Sequence, residues 1–122
     1  MDDFNKLKVW QKSYALTLLV YESTRSFPSS EQYGLTSQMR RSSFSIPTNL
    51  AEGCGRNGDR ELARFARISM GSSSELECQL RLAKDLKYLD EPTYTSLAEK
   101  LAEVRRMLQG FLNRLTGKER ES

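Results

Sequence analysis

The sequence predicts an all-α protein, an antiparallel four-helix bundle with up-down-up-down topology. Apolar residues recur at spacings of three and four in four long segments, and short stretches containing proline or glycine separate these segments. Short loops favour antiparallel neighbouring helices. With 122 residues and 38% hydrophobic content, the chain has material for one core, so residues 1–122 are predicted to form a single domain.

The first helix is predicted at about residues 7–25 and carries two apolar stripes on opposite sides. The first stripe consists of Leu7, Trp10, Tyr14, Leu18 and Tyr21. The second consists of Val9, Leu16 and Val20, at about 200° from the first on a helical wheel. Because a bundle buries one stripe of each helix, the second stripe is predicted to face another subunit; an unusually central helix is the alternative.

The second helix is predicted at about residues 33–53, since the loop after Phe27-Pro28 is followed by a new apolar face. That face is formed by Leu35, Met39, Ile46 and Leu50. Pro47 lacks an N–H and crowds the preceding turn, which predicts a kink. Small Ser42, Ser43 and Ser45 favour close helix packing, with an exposed functional groove as the alternative. Gly53-Cys54-Gly55 is predicted to end the helix.

The third and fourth helices are predicted at about residues 59–88 and 91–116. The third keeps one apolar face through the weak helix formers Gly71-Ser72-Ser73-Ser74, which argues against a split into two helices. The fourth begins at Asp90-Glu91-Pro92, a typical helix start. Its apolar positions alternate spacings of four and three, as in left-handed helix packing: Leu97, Leu101, Val104, Leu108, Phe111 and Leu115.

The composition argues against an enzyme. There is no histidine, which removes the usual general base near neutral pH and imidazole metal ligands. No glycine-rich phosphate loop occurs, and Glu75 and Glu77, two apart on a helix, point in different directions. Cys54 and Cys78 form no CxxC pair and suggest neither a disulfide nor a zinc site. We therefore expect no catalytic residue, cofactor or metal.

The same composition is typical of a cytoplasmic protein. No apolar run approaches the roughly 20 residues of a membrane-spanning helix. Met1-Asp2-Asp3 is acidic where a signal peptide would be basic. We therefore expect a soluble chain without a membrane partner.

Clustered arginines are the candidate contacts for nucleic acid, because arginine can hold a phosphate with two hydrogen bonds. The formal net charge is only +3, so charge alone does not decide. A closed homo-oligomer would repeat any basic patch around its axis. An ordinary ion-paired surface is the alternative, since acidic residues lie nearby. The candidates are Arg40, Arg41, Arg56, Arg60, Arg105, Arg106, Arg114 and Lys118.

Three segments carry a family resemblance: LKVWQKSYALTLLVYESTRSFP, EQYGLTSQMRRSSFSIPTNLAEG and RFARISMGSSSELECQL. Together they resemble the four-helix-bundle family of 23S ribosomal RNA intervening-sequence proteins, from about Phe4 to Leu89. The resemblance includes the related accessory variability proteins of diversity-generating retroelements. It implies an antiparallel four-helix bundle that assembles into a homopentamer. In the retroelement branch, basic pentamers associate with a reverse transcriptase and with nucleic acid.

The second-helix segment is the signature of this resemblance and is expected to serve the architecture. Within it, Asn49 and Glu52 are expected to receive Arg40, Arg41 or an arginine of a neighbouring subunit. The resulting hypothesis is a non-enzymatic homopentamer that binds RNA, DNA or a protein that handles them. A protein-binding scaffold with no nucleic-acid role is the alternative. The signature residues are Tyr33, Gly34, Leu35, Gln38, Arg40, Arg41, Ser45, Ile46, Pro47, Asn49, Glu52 and Gly53.

Overall fold

A computed structural model describes residues 3–117, and over that range the chain contains four α-helices and no strand. Helix α1 spans Lys8–Thr24, α2 Leu35–Cys54, α3 Asp59–Asp85 and α4 Glu91–Thr116. Each helix packs against two others, in the cyclic order α1, α2, α3, α4. The predicted class, an all-α four-helix bundle, is confirmed.

Helix ends follow local backbone chemistry. The Asp90 carboxylate accepts a hydrogen bond from the Thr93 N–H at 2.8 Å and caps α4. Hydrogen bonding to the Thr93 side chain, and then to this N–H, lowers the pKa of Asp90. Gly58 has a φ of 87°, so the turn before α3 suits glycine. Lys87 also has a positive φ, of 65°, and α3 ends at Asp85 rather than at the predicted residue 88.

Helix α2 begins later than predicted because a short 3-10 turn, Ser29–Glu31, and Gly34 come before it. The Glu31 carboxylate holds this junction by two hydrogen bonds. It accepts one from the Leu35 N–H at 3.1 Å and one from the Tyr88 hydroxyl at 2.9 Å. The second bond raises the pKa of Tyr88. The helix start is thereby tied to the loop between α3 and α4.

Pro47 lies inside α2 without interrupting it. Proline has no N–H, so the Ser43 carbonyl loses its usual partner four residues on. The Thr17 hydroxyl of α1 donates to that carbonyl at 3.0 Å and replaces the lost bond. Helix α1 thus supplies the hydrogen bond that Pro47 cannot donate. The kink expected at Pro47 remains a prediction.

Small polar residues bring α2 and α3 close together. The Ser69 hydroxyl donates to the Ile46 carbonyl at 2.8 Å, and the hydroxyls of Ser45 and Ser72 lie 2.8 Å apart. Buried Ser42 donates to the amide oxygen of Gln79. These serines therefore serve helix packing, and Ser42 and Ser45 also line a groove between α2 and α3. Helix α3 runs unbroken through residues 71–74, as predicted.

Gly53 is part of the same close contact. A Cβ at this position would lie 2.9 Å from both the Leu62 Cδ1 and the Phe65 Cβ. Gly53 lies inside α2, one residue before its end, so it permits helix approach in addition to any role in termination. The predicted stop is instead completed by Cys54 and Gly55.

Gly53→Ala is expected to destabilise the fold by about 1–3 kcal/mol, because the added methyl overpacks the contact between α2 and α3. Urea unfolding followed by circular dichroism measures the change. Gly55→Ala is the matched control: its Cβ would meet only carbonyl oxygens at ordinary contact distance, 3.5 Å or more. Equal stability of Gly53→Ala and the wild type would contradict the close approach.

The core confirms the α4 stripe and corrects the interpretation of α1. Five of the six predicted α4 positions are buried, and Leu115 is partly buried against the core. In α1, however, Val9, Leu16 and Val20 are at most 4% exposed within the single chain. They have no surface to offer a partner, so their prediction as interface residues is wrong.

The two α1 stripes differ in burial because their side chains differ in size and polarity. Small and β-branched residues such as Ser13, Thr17 and Val20 let α1 approach its neighbours closely, and these positions are buried. Tyrosine keeps a polar hydroxyl that favours contact with water. Tyr14 and Tyr21 accordingly remain about two-fifths exposed, and Leu18 is 57% exposed. The other stripe is therefore the more exposed one, although its first two residues, Leu7 and Trp10, are partly buried against the core.

Candidate nucleic-acid interface

Side-chain contacts between helices define a middle level of the bundle. The Thr17 hydroxyl reaches the Ser43 carbonyl, and the Arg105 Nε lies 3.2 Å from the Ser73 Oγ. Together with the contact between Ser45 of α2 and Ser72 of α3, they place the centres of the four helices at comparable heights. The starts of α1 and α3 and the ends of α2 and α4 therefore lie at one end of the molecule.

That end is the basic one. Residues 3–16, 45–72 and 104–117 contain ten Lys and Arg but four Asp and Glu. Residues 17–44 and 73–103, at the opposite end, contain seven Lys and Arg and nine Asp and Glu. Although the net charge is modest, positive and negative charges are therefore separated along the bundle axis. A basic end of this kind is the pattern expected of a surface that binds a polyanion.

A groove between the start of α1 and the end of α4 runs across the basic end. It has a volume of about 490 Å³. Its floor is apolar and includes Leu7, Met107 and Phe111, with Gly110 between the last two. Four exposed cations line its sides: Lys6, Lys8, Arg106 and Arg114. We call this feature the α1–α4 groove.

The cations of the α1–α4 groove form no ion pair with another described residue. Within residues 3–117, none of the four lies within 4.0 Å of an acidic oxygen. The neighbouring Glu103 carboxylate is instead 3.6 Å from the Lys12 Nζ. In the described part of the chain, the groove therefore carries four positive charges without a carboxylate partner.

Arg105 differs from the adjacent Arg106 because it is held inside the fold. Its guanidinium contacts the hydroxyls of Ser73 and Ser74 and the Glu77 carboxylate, at 3.0–3.2 Å. Reversing its charge would disturb the contact between α3 and α4 as well as any ligand. Arg106 is the better probe of binding.

Arg40 is also occupied by the fold. Its guanidinium donates to the Thr24 hydroxyl at 2.9 Å and to the Tyr21 carbonyl at 3.3 Å, and it lies over the Tyr21 ring. Arg40 therefore joins α2 to the end of α1. Arg41 lies on the exposed side of α2, beside Glu75, at a groove between α2 and α3.

The expected contacts of Asn49 and Glu52 with Arg40 or Arg41 do not form within the chain. The Asn49 amide donates to the carbonyl and hydroxyl of Ser45 at 2.8 and 2.9 Å. Glu52 pairs with Arg56 at 3.1 Å. One helical turn separates the partners in each case, so local geometry satisfies both side chains.

The arginines around the start of α3 are partly neutralised. Arg56 pairs with Glu52, and Arg64 forms two hydrogen bonds with Glu61. The bond from Arg64 lowers the pKa of Glu61 and, reciprocally, raises that of Arg64. Arg60 has no acidic partner among residues 3–117. Predicted Lys118 lies outside the described residues.

Sequence reasoning missed Lys6, Lys8 and Gly110. The two lysines precede or begin α1, far in sequence from α4, so no local pattern connects them with Arg106 and Arg114. Of these three residues, Gly110 alone could have been recognised from the sequence. Glycine is unfavourable inside a helix, so its presence there indicates a packing or functional reason. Its side of α4 faces the groove rather than a packed helix.

A second exposed surface is aromatic. Between α1 and α2 lies a cleft of about 270 Å³ with an apolar lining. Trp10 stacks on Tyr14 with ring centres 5.0 Å apart, and Phe4 tilts against Trp10 at 4.9 Å. Exposed Phe44 of α2 completes the opposite wall. We call this surface, together with Leu18, the aromatic face.

The family of the chain is consistent with this fold. Residues 5–110 match the family described as 23S rRNA-intervening sequence protein. The chain belongs to this family. The match extends beyond Leu89 into α4 and includes Arg106 and Gly110. Arg114 lies past it.

A solved structure supports the same fold. A protein of unknown function from the S23 ribosomal protein family of Bacteroides thetaiotaomicron superposes with a TM-score of 0.77. The two are 20% identical, and the superposition covers 85% of this chain and 97% of that one. No curated protein matches the sequence.

Two further properties bear on function. No described helix combines the length and hydropathy needed to cross a bilayer. Residues 3–117 also contain no cluster of three or more potential metal-binding Cys, Asp or Glu side chains.

Proposed function

We propose that this chain is a cytoplasmic, non-enzymatic accessory protein that forms a homopentamer and binds nucleic acid through its basic end. The α1–α4 groove carries the proposal, because four exposed cations line one concavity and none of them pairs with a carboxylate of residues 3–117. The family description names a ribosomal RNA intervening sequence, which makes RNA the first ligand to test. The number of subunits comes from the family resemblance.

The aromatic face supplies the subunit contact in this proposal. Exposed Tyr14 and Phe44 line one cleft from neighbouring helices, and exposed Leu18 follows Tyr14 by one helical turn on α1. A self-association surface of this kind repeats the basic end once per subunit and multiplies the number of phosphates contacted together. Within this proposal, a nucleic-acid-handling protein such as a reverse transcriptase is the alternative partner of the basic end.

The double substitution Arg106→Glu/Arg114→Glu is expected to weaken binding of a structured RNA by at least about tenfold at 50 mM salt. Each lost phosphate contact also reduces the slope of log affinity against log salt by about one. Fluorescence anisotropy titrations between about 50 and 200 mM salt measure both effects. Wild-type binding should weaken steeply over this range.

The matched control is Arg25→Glu/Arg81→Glu, which reverses two exposed, ion-paired arginines away from the basic end. It makes the same change in net charge and should alter affinity by less than about twofold if the groove is the site, because distant exposed charges are screened by salt. Equal losses in the two variants would contradict a localised site. Salt-independent binding by the wild type would contradict phosphate recognition altogether.

A further inference from the structure

Gly110 has no evident role in the fold. It lies in the interior of α4, where glycine is a poor helix former. A Cβ at this position would meet only the Arg114 Nη1, at an ordinary distance of 3.6 Å. Neither close helix approach nor backbone conformation therefore requires glycine here, in contrast to Gly53.

The position of Gly110 in the α1–α4 groove offers a reason. Arg106, Gly110 and Arg114 follow one another at intervals of four residues and so share one side of α4. The two arginines start about 12 Å apart along the axis, from the helical rise per residue. The missing side chain leaves space midway between their backbone positions, beside Met107 and Phe111, and the Arg114 Nη1 is the nearest atom to that space.

The chemistry of the apolar floor distinguishes two forms of nucleic acid. A duplex presents phosphates on its outside and keeps its base faces stacked, so it would use the cations but not an apolar floor. An unpaired strand can place its phosphates against cations and lay a base against apolar side chains. The polarizable thioether of Met107 is well suited to contact an aromatic ring.

We infer that the α1–α4 groove takes an unpaired segment of nucleic acid, with one base accommodated beside Gly110, Met107 and Phe111 and the flanking phosphates held by Arg106 and Arg114. This inference rests on the proposed function and adds the form of nucleic acid recognised. Lys6 and Lys8 on the opposite side of the groove complete the charge complementarity.

Filling the groove without changing its charge tests the inference. Gly110→Leu should weaken binding of an oligouridine about tenfold or more, as expected when one base loses its contact. Binding of a blunt RNA duplex should change by less than about twofold, because the cations remain. Both affinities are measured by anisotropy at one salt concentration.

Two variants accompany this experiment. Gly71→Leu is the matched control: Gly71 lies exposed inside α3, where a Cβ would have no neighbour within 4 Å, and this variant should bind both probes as the wild type does. Gly110→Gln fills the groove with a polar, helix-favouring side chain and should weaken oligouridine binding as Gly110→Leu does. Circular dichroism melts verify that each variant folds.

The outcomes separate this inference from the proposed function. Unchanged oligouridine binding by folded Gly110→Leu or Gly110→Gln overturns the inference, and so does a wild-type preference for the duplex. In either case the proposed function stands if Arg106→Glu/Arg114→Glu still weakens binding. If the charge reversal affects neither probe, the groove is not a nucleic-acid site and both proposals fail.

Discussion

Leu108→Asp is expected to unfold the subunit. Leu108 is fully buried at the centre of the α4 stripe, and a carboxylate there would be both desolvated and unpaired. The buried carboxylate and the lost packing of leucine together lower the free energy of unfolding by more than about 4 kcal/mol. That is a large part of the stability of a small domain. Circular dichroism should show loss of helix and of the cooperative thermal transition.

Gln109→Asp is the control for this change, because it introduces the same side chain on the adjacent, exposed position of α4. It removes one surface hydrogen bond to Asn113 and should change stability by about 0.5 kcal/mol. A folded, cooperatively melting Leu108→Asp protein would contradict the observed core.

Tyr14→Glu/Phe44→Glu is expected to convert the proposed pentamer into monomers. The two side chains are exposed on facing walls of the aromatic face, so glutamate is tolerated in a free subunit but would be buried unpaired in an assembly. Multi-angle light scattering should show a fall from five copies of the 14.0 kDa chain to one. Helix content should remain unchanged.

Ile68→Glu/Leu82→Glu is the matched control, because it places two carboxylates on exposed apolar positions of α3 instead. This variant should keep the wild-type mass. Dissociation by the α3 variant alone would move the interface to α3, and a monomeric wild type would contradict the assembly itself.

The apolar stripes of α4 and α1 differ in how much the sequence alone could say about their burial. The α4 stripe repeats apolar residues on one side only, so its spacing alone identified the buried face. The α1 sequence offers two stripes, and spacing states only that they lie on opposite sides. Which one enters the core depends on how closely α2 and α4 approach.

The candidate site shows the same limit. Arg106 and Arg114 were recognisable as clustered cations, but so were Arg40 and Arg105, which the fold uses for contacts between helices. Lys6 could not be joined to them by any local pattern. Side-chain partners and the sides of a groove are set by residues distant in the sequence.

The sequence by itself determined the helical class, the four helices, the continuity of α3 and the buried stripe of α4, since these follow from periodicity and local backbone chemistry. The tertiary structure decided that Val9, Leu16 and Val20 belong to the core and that Tyr14 and Leu18 stay outside. It also brought the lysines at the start of α1 beside the arginines of α4. The physical reason is that periodicity is a property of one helix, whereas burial and charge neutralisation depend on its neighbours.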